Sequence, residues 1–151
     1  MSQRNGAVVF VGMDTPELPW IEVRAAAAAA RDGHAYVCPA EDGGYCLLGL
    51  PPAASPAEVV FGGVKWSDPL TCVSQMGTLA AAGVLTLVGG TYSDVDEPGD
   101  LAGVHERSQQ RRQQDGGEDG KSQDAEALCP RTAEVAQRAM AHMTQSLKSP
   151  A

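Results

Sequence analysis

Aromatic and basic side chains are both scarce in this sequence. Only 5% of the 151 residues are aromatic while 43% are hydrophobic, so a folded core must be built from aliphatic side chains and alanine. Lys and Arg number 11 against 19 Asp and Glu, which gives a net charge of −8. Because an acidic chain is repelled by nucleic acid and by anionic membranes, neither is expected as a partner. The length suits one domain of ordinary size.

Metal-binding cysteine pairs and long apolar runs are also missing. The four cysteines, Cys38, Cys46, Cys72 and Cys129, form no C-x-x-C pair and fit no zinc framework. No secretory signal opens the chain, and no run of about 18 apolar residues occurs. These features predict a cytoplasmic protein whose thiols stay reduced, most of them as core filler.

Short apolar runs alternate with helical patterns through the first part of the chain. Strands are predicted over residues 7–11, 34–39, 45–50 and 84–88, and helices over residues 15–31 and 68–82. Residues 59–61 are predicted to be short and extended at best. The first strand is apolar throughout, which is typical of a strand buried on both faces of a parallel sheet. Thr15 is a candidate N-cap for the first helix. The order of elements predicts an α/β fold with a mostly parallel sheet.

The composition changes after His105. Residues 109–124 contain no apolar side chain, and they are rich in Gln, Arg, Asp, Glu and Gly. Such a segment buries too little surface to offset the entropy of ordering it. We therefore predict one α/β domain over residues 1–104, a disordered polar linker over 105–129 and a C-terminal helix over 130–151.

Acidic residues follow two of the apolar strands directly. Asp14 comes after the first strand, and Asp42 lies in the turn before Gly43 and Gly44. In open α/β sheets, ligands bind beyond the carboxyl ends of strands, and a hard divalent cation takes such oxygen ligands. An Asx-turn at Asp14 and a plain hairpin at Asp42 are the alternatives that the sequence leaves open.

A third acidic stretch, YSDVDEPGDL over residues 92–101, follows the last predicted strand. Asp94 and Asp96 alternate, so an extended chain would direct both to the same side. Three carboxylates within this stretch, with Asp100, repel one another unless a cation, a helix end or solvent offsets the charge. The alternative is a solvated acidic loop that caps a helix.

The segment VKWSDP over residues 64–69 is a weaker candidate. Lys65 could contact a phosphate, and Trp66 could stack on a sugar or a base. Ser67 or Asp68 could instead cap the following helix, with Trp66 partly buried. No Ser-His-Asp or Cys-His arrangement is indicated by the three histidines.

Taken together, four segments resemble one known family. VVFVGMDTPELP, CPAEDGGYCLLGL, VKWS and SDVDEPGDL occur in this order over residues 7–104. They resemble the bacterial DUF2064 family, a glycosyltransferase-like branch of the GT-A nucleotide-diphospho-sugar transferase superfamily. The resemblance implies a partial GT-A, Rossmann-like three-layer sandwich. It also implies a nucleotide sugar or nucleoside triphosphate as substrate and Mg²⁺ or Mn²⁺ as cofactor.

The resemblance also implies roles for individual residues. Asp14 and Asp96 would be metal ligands, and Asp42 and Asp94 would be the catalytic carboxylates. One of the latter would orient or deprotonate the acceptor. The substrate-binding residues would be Gly43, Gly44, Tyr45, Trp66 and Ser67.

The resemblance sets one further expectation. Members of the family carry an N-terminal half with a glycine-rich basic loop that grips the nucleotide phosphates, and this chain begins six residues before the first strand. The expected protein is therefore a metal-dependent glycosyltransferase-like chain that is truncated or inactive. A non-catalytic α/β interaction module or fragment, able to form a homo-oligomer, and a nucleotidyltransferase remain as alternatives.

Overall fold

A computed structural model describes residues 6–54 and 57–114, together with positions 135, 137, 138 and 141. The elements in chain order are β1 (Val8–Val11), α1 (Trp20–Arg31), β2 (Ala35–Pro39), β3 (Tyr45–Leu50), α2 (Ala57–Phe61), α3 (Thr71–Ala81), β4 (Thr86–Val88) and α4 (Asp100–Gln114). Within the described residues, no helix combines the length and the apolar character that crossing a bilayer requires.

The four strands form one sheet in the order β1-β3-β2-β4. Strand β3 is antiparallel to both β1 and β2, whereas β2 and β4 are parallel. It follows that β1, β2 and β4 all run in one direction and β3 runs against them. The α/β class is confirmed, but the prediction of a mostly parallel sheet is wrong. The turn between β2 and β3 is too short for a parallel crossover, so the two strands pair antiparallel. Strand β3 also lies between β1 and β2, which run in the same direction, and it is therefore antiparallel to both.

Helices pack on both faces of this sheet, as a three-layer sandwich requires. Helix α1 packs against β1, β2 and β3, and α3 packs against α2 and β4. Each face of the sheet carries its own core cluster. The cross-strand partners Val37 and Leu48 belong to the cluster that includes residues of α2 and α3. The partners Cys38 and Leu47 belong to the cluster on the α1 side. The buried members of both clusters are aliphatic residues and cysteines, and the aromatic side chains that pack against them are only partly buried.

Strand β1 is much more exposed than the sequence predicts. Val8, Phe10 and Val11 are 45%, 49% and 39% exposed, although the apolar run predicts burial on both faces. The physical reason is that β1 is an edge strand with β3 as its partner, so its outer edge meets solvent in the described part of the chain.

Three further boundaries differ from the sequence predictions. Helix α1 begins at Trp20 after Pro19, because Thr15 instead starts a turn in which its carbonyl accepts the Leu18 amide. Residues 57–61 form the short helix α2, not an extended segment. Helix α4 continues to Gln114, so residues 105–114 of the predicted linker are helical. The rest of that linker and most of the predicted C-terminal helix lie outside the described residues.

Candidate functional site

The shared direction of β1, β2 and β4 brings their carboxyl ends to one edge of the sheet. A cavity of about 570 Å³ opens at this edge. Its lining residues come from the segments after these strands, from the start of β3 and from the loop before α3. They are Asp14, Thr15, Ala40, Asp42, Gly44, Tyr45, Cys46, Trp66, Ser67, Asp68, Pro69, Thr71, Asp94 and Asp96. The volume lies within the range of roughly 300–1,000 Å³ found for small-molecule sites.

The structure brings together eight of the nine residues singled out from the sequence. All four predicted metal-binding and catalytic aspartates line the cavity, and so do Gly44, Tyr45, Trp66 and Ser67. Gly43 lies just behind the lining and contacts Pro69. The sequence reasoning missed six lining residues: Thr15, Ala40, Cys46, Asp68, Pro69 and Thr71. Each lies next to a predicted site residue in the sequence or within a few residues of one. This proximity is the signal that could have identified them.

The Asp14 segment is tied to the acidic stretch that follows β4. The Val95 amide donates a hydrogen bond of 2.9 Å to the Asp14 carbonyl. This bond holds the neighbouring Asp94 and Asp96 beside the end of β1. Farther along, the Arg107 guanidinium on α4 pairs with the Glu17 carboxylate at 2.6 Å, which fastens α4 to the segment after Asp14.

The hairpin turn carries Asp42 and is itself part of the cavity wall. The Asp42 Oδ1 accepts the Gly44 amide at 2.8 Å, which fixes the orientation of the carboxylate. Gly43 adopts φ of +94°, and its carbonyl accepts the Cys72 amide at 2.9 Å in the first turn of α3. This turn therefore connects two strands of a hairpin and also forms part of the cavity wall, so the two alternatives are compatible.

The opposite wall is a loop with an unusual backbone. Ser67 has φ of +55° and is the non-glycine residue with a positive φ in the described part of the chain. The loop is braced by the Thr71 hydroxyl, which donates to the Lys65 carbonyl at 2.6 Å. The Asp68 Oδ1 accepts the Leu70 amide at 2.8 Å. The N-cap of α3 is Leu70 and no side chain caps that helix, so the prediction that Ser67 or Asp68 caps it is wrong. Strained backbone of this kind costs about 1–3 kcal/mol and tends to cluster at functional sites.

Trp66 and Tyr45 provide the aromatic surface of the cavity. Trp66 is 57% exposed and lies 6.3 Å from the Phe61 ring, so the expectation of a partly buried indole holds only in part. The Tyr45 hydroxyl donates to the buried Gln75 side chain at 3.2 Å. Burial raises the pKa of Tyr45, so its hydroxyl stays protonated at neutral pH.

The electrostatics of the site are dominated by carboxylates. The pKa of Asp94 is raised above its ordinary value, first by burial and then by the charges of Asp42, Asp96 and Asp14. Burial also raises the pKa of the Cys46 thiol to about 11, which excludes it as a thiolate nucleophile near neutral pH. Among the described residues that line the cavity, none is basic.

The donor set suits a hard divalent cation that keeps much of its own hydration. Among the described residues, no three His, Cys, Asp or Glu side chains lie close enough to form a complete protein cage for a metal. Mg²⁺ commonly takes one or two protein carboxylates and fills its other positions with water and phosphate oxygens. Asp14 and Asp96 are carboxylates on two different segments that line the same cavity.

A partly buried polar network lies behind the acidic stretch. Four donors converge on the Glu22 carboxylate: the Tyr36 hydroxyl at 2.6 Å, the Cys38 thiol at 3.4 Å, the Gly90 amide at 3.0 Å and the Tyr92 hydroxyl at 2.8 Å. Burial alone would raise the pKa of Glu22, but these hydrogen bonds outweigh it and lower the pKa. Burial and the Glu22 charge raise the pKa of both tyrosines. No sequence motif pointed to Glu22, because its partners are brought to it by β2 and β4.

Fold and cavity together define a mixed α/β domain with an acidic cavity at the carboxyl ends of three of its strands. Residues 1–68 match the model of the family described as "Uncharacterized protein conserved in bacteria (DUF2064)". The match confirms the resemblance to DUF2064 over the three motifs that lie within residues 1–68, and the fourth, SDVDEPGDL, lies beyond it. The comparison with curated proteins gave no match.

One solved structure is similar in fold. It is described as a "putative nucleotide-diphospho-sugar transferase" from Desulfovibrio desulfuricans G20, with a TM-score of 0.65 and 21% sequence identity. The similarity covers 91% of this chain and 54% of that protein, so this chain spans about half of its length. At this level of identity the comparison shows a common fold.

Proposed function

We propose that this chain carries the metal and acceptor side of a transferase that acts on a nucleotide-diphospho-sugar with Mg²⁺ or Mn²⁺. The observation that carries the proposal is the convergence of Asp14, Asp42, Asp94 and Asp96 on one cavity that Trp66 also lines. The fold shared with the Desulfovibrio protein supports it. A nucleotidyltransferase, the alternative function, would use the same carboxylates but would transfer a nucleotidyl group and not a sugar.

Charge balance supports the involvement of a cation. The cavity has five aspartates in its lining and no basic residue, so a diphosphate would be repelled without a counter-charge. Asp14 and Asp96 would hold the cation, which supplies Lewis-acid stabilisation of the leaving diphosphate when bound. Trp66 offers an exposed face for stacking on a base or sugar ring.

The remaining carboxylates have features suited to acceptor chemistry. Asp94 has a raised pKa, which makes it a better proton acceptor for an acceptor hydroxyl than an ordinary surface aspartate. Asp42 is fixed by its bond with Gly44, so it can orient that hydroxyl without first losing side-chain freedom. Tyr45 and Ser67, which line the same cavity, would complete the contacts with the substrate.

Calorimetric titration with UDP-glucose and with GTP, each with and without Mn²⁺, tests this function. We expect metal-dependent binding that Asp14→Asn weakens at least tenfold, because one of two carboxylate ligands is lost. Asp32→Asn is the matched control, since it removes the same charge from an exposed position at the C-terminal end of α1. Equal binding by both variants would remove Asp14 from the metal site, and no nucleotide binding by the folded wild type would contradict the proposal.

A non-catalytic interaction module is the second candidate, favoured by the exposed apolar edge strand β1. Edge strands of this kind pair with other chains unless they are blocked. Light scattering that shows a dimer, abolished when Phe10 is replaced by Lys, would support this function. A monomer at all concentrations would count against it. Location in the cytoplasm is likewise a prediction that fractionation would test.

A further inference from the structure

The Glu22 network reaches the proposed site indirectly, through the segment that carries Asp94. Glu22 and Tyr36 do not line the cavity, and neither does Tyr92. Two of the four donors on the Glu22 carboxylate, Gly90 and Tyr92, belong to the segment that leads from β4 into the acidic stretch. The other two, Tyr36 and Cys38, belong to β2.

The Tyr92 backbone is fastened at the same place. Its amide donates to the Pro39 carbonyl at 3.1 Å, and its carbonyl accepts the Glu41 amide at 3.1 Å. These bonds continue the parallel pairing past the end of β4, with Ala40 opposite Tyr92. Asp94 therefore lies between two anchors, Tyr92 on one side and the bond from Val95 to Asp14 on the other.

The approach of this stretch to the network is very close. A Cβ atom on Gly89 would lie 2.5 Å from the Glu22 Oε2 and 2.7 Å from the Tyr36 hydroxyl oxygen. A carboxylate that accepts four donors in a partly buried place has its orientation strongly restricted, because each lost bond leaves a polar group unsatisfied. The network is thus a rigid support and not a loose surface contact.

We propose that Glu22 is a positioning residue, which fixes Asp94 and Asp96 opposite Asp14 by holding Gly90 and Tyr92. This inference rests on the proposed function, since the geometry it protects is that of the carboxylates in the cavity. Residues that orient ligands from behind are typically important for metal affinity without touching the metal.

Two tyrosine variants test the proposal with a built-in control. Tyr92→Phe and Tyr36→Phe each remove one hydroxyl from the same carboxylate, but only Tyr92 belongs to the stretch that leads to Asp94. With Mn²⁺ alone as the probe, we expect Tyr92→Phe to weaken binding about tenfold. Tyr36→Phe should leave the affinity close to that of the wild type, at a similar loss of thermal stability.

Hydrogen exchange of the Val95 amide gives a readout that needs no metal. This amide is bonded to the Asp14 carbonyl, so its protection reports whether the acidic stretch is held in place. We expect protection to fall about tenfold in Tyr92→Phe and Glu22→Gln, and to stay unchanged in Tyr36→Phe.

The two measurements separate the possible failures. Equal protection of Val95 in the two tyrosine variants would overturn the positioning role, whatever the metal result. A wild-type protein that does not bind Mn²⁺, yet loses Val95 protection selectively in Tyr92→Phe, would overturn the proposed function while supporting the positioning of the loop. Wild-type Mn²⁺ affinity in Tyr92→Phe would also count against the proposal.

Discussion

Single residues shape the cavity mainly through backbone geometry. Gly43 and Gly33 both adopt a left-handed backbone, with φ of +94° and +88°. They differ in their surroundings, because a Cβ on Gly43 would lie 1.9 Å from the Pro69 carbonyl oxygen, whereas a Cβ on Gly33 would meet nothing within 4 Å. The turn that carries Asp42 therefore requires glycine both for its left-handed backbone and for its close contact with Pro69. The end of α1 requires glycine for its left-handed backbone alone.

This difference predicts unequal costs for the same substitution. Gly33→Ala should lower the free energy of unfolding by about 1–2 kcal/mol, the usual cost of a left-handed backbone with a side chain. Gly43→Ala should lower it by clearly more, and it should displace the loop that carries Pro69. Urea denaturation of both variants measures the costs, and equal values would show that the Pro69 contact relaxes easily.

Among the elements, α2 and α3 are joined by a buried amide. Gln75 is fully buried, and its Nε2 donates to the Val60 carbonyl at 2.9 Å, while its Oε1 accepts the Tyr45 hydroxyl. The Thr78 hydroxyl donates to the same Val60 carbonyl at 2.6 Å. One side chain thus connects α2, α3 and a tyrosine of the cavity wall.

Replacing Gln75 by Met tests this connection. The substitution keeps the approximate volume but leaves the Tyr45 hydroxyl without its partner, so we expect a loss of about 1–3 kcal/mol in the free energy of unfolding. Gln110→Met on the exposed face of α4 is the control, with an expected change within about 0.5 kcal/mol. A Gln75→Met protein as stable as the control would mean that water replaces the amide.

Some elements were predictable from local patterns and others were not. Strand β3 matches the predicted residues 45–50, and the turn before it and the stop of α1 at Asp32 and Gly33 also agree. The direction of the sheet was mispredicted, because an apolar run carries no information about which neighbour it pairs with. The start of α1 was also misplaced, since the turn at Thr15 competes with helix initiation there.

Across the whole molecule, charge makes stability depend on pH. The hydrogen bonds to Glu22 lower its pKa below the ordinary value of 4.5 in the folded state. A lowered carboxylate pKa contributes stability that is fully present above the unfolded value and is lost as the pH falls through the folded value. The protein should therefore lose stability in acid partly through this one group.

The variant Glu22→Gln isolates that contribution. It should be less stable than the wild type near neutral pH, because a neutral amide is a weaker acceptor for four donors and adds donors of its own. As the pH falls below about 4.5, the two stability curves should converge. Guanidinium denaturation across this range is the measurement. Parallel curves would mean that Glu22 does not titrate as a hydrogen-bonded carboxylate.

Local sequence was sufficient for the composition of the core, the position of most strands and eight of the residues that line the cavity. Apolar periodicity, glycine at turns and carboxylates after strands are all encoded within a few neighbouring residues. Pairing direction, the exposure of β1 and the meeting of Glu22 with Gly90 and Tyr92 depend on contacts between segments far apart in the chain. Those contacts follow from how the elements pack against one another, which the order of residues along one segment does not specify.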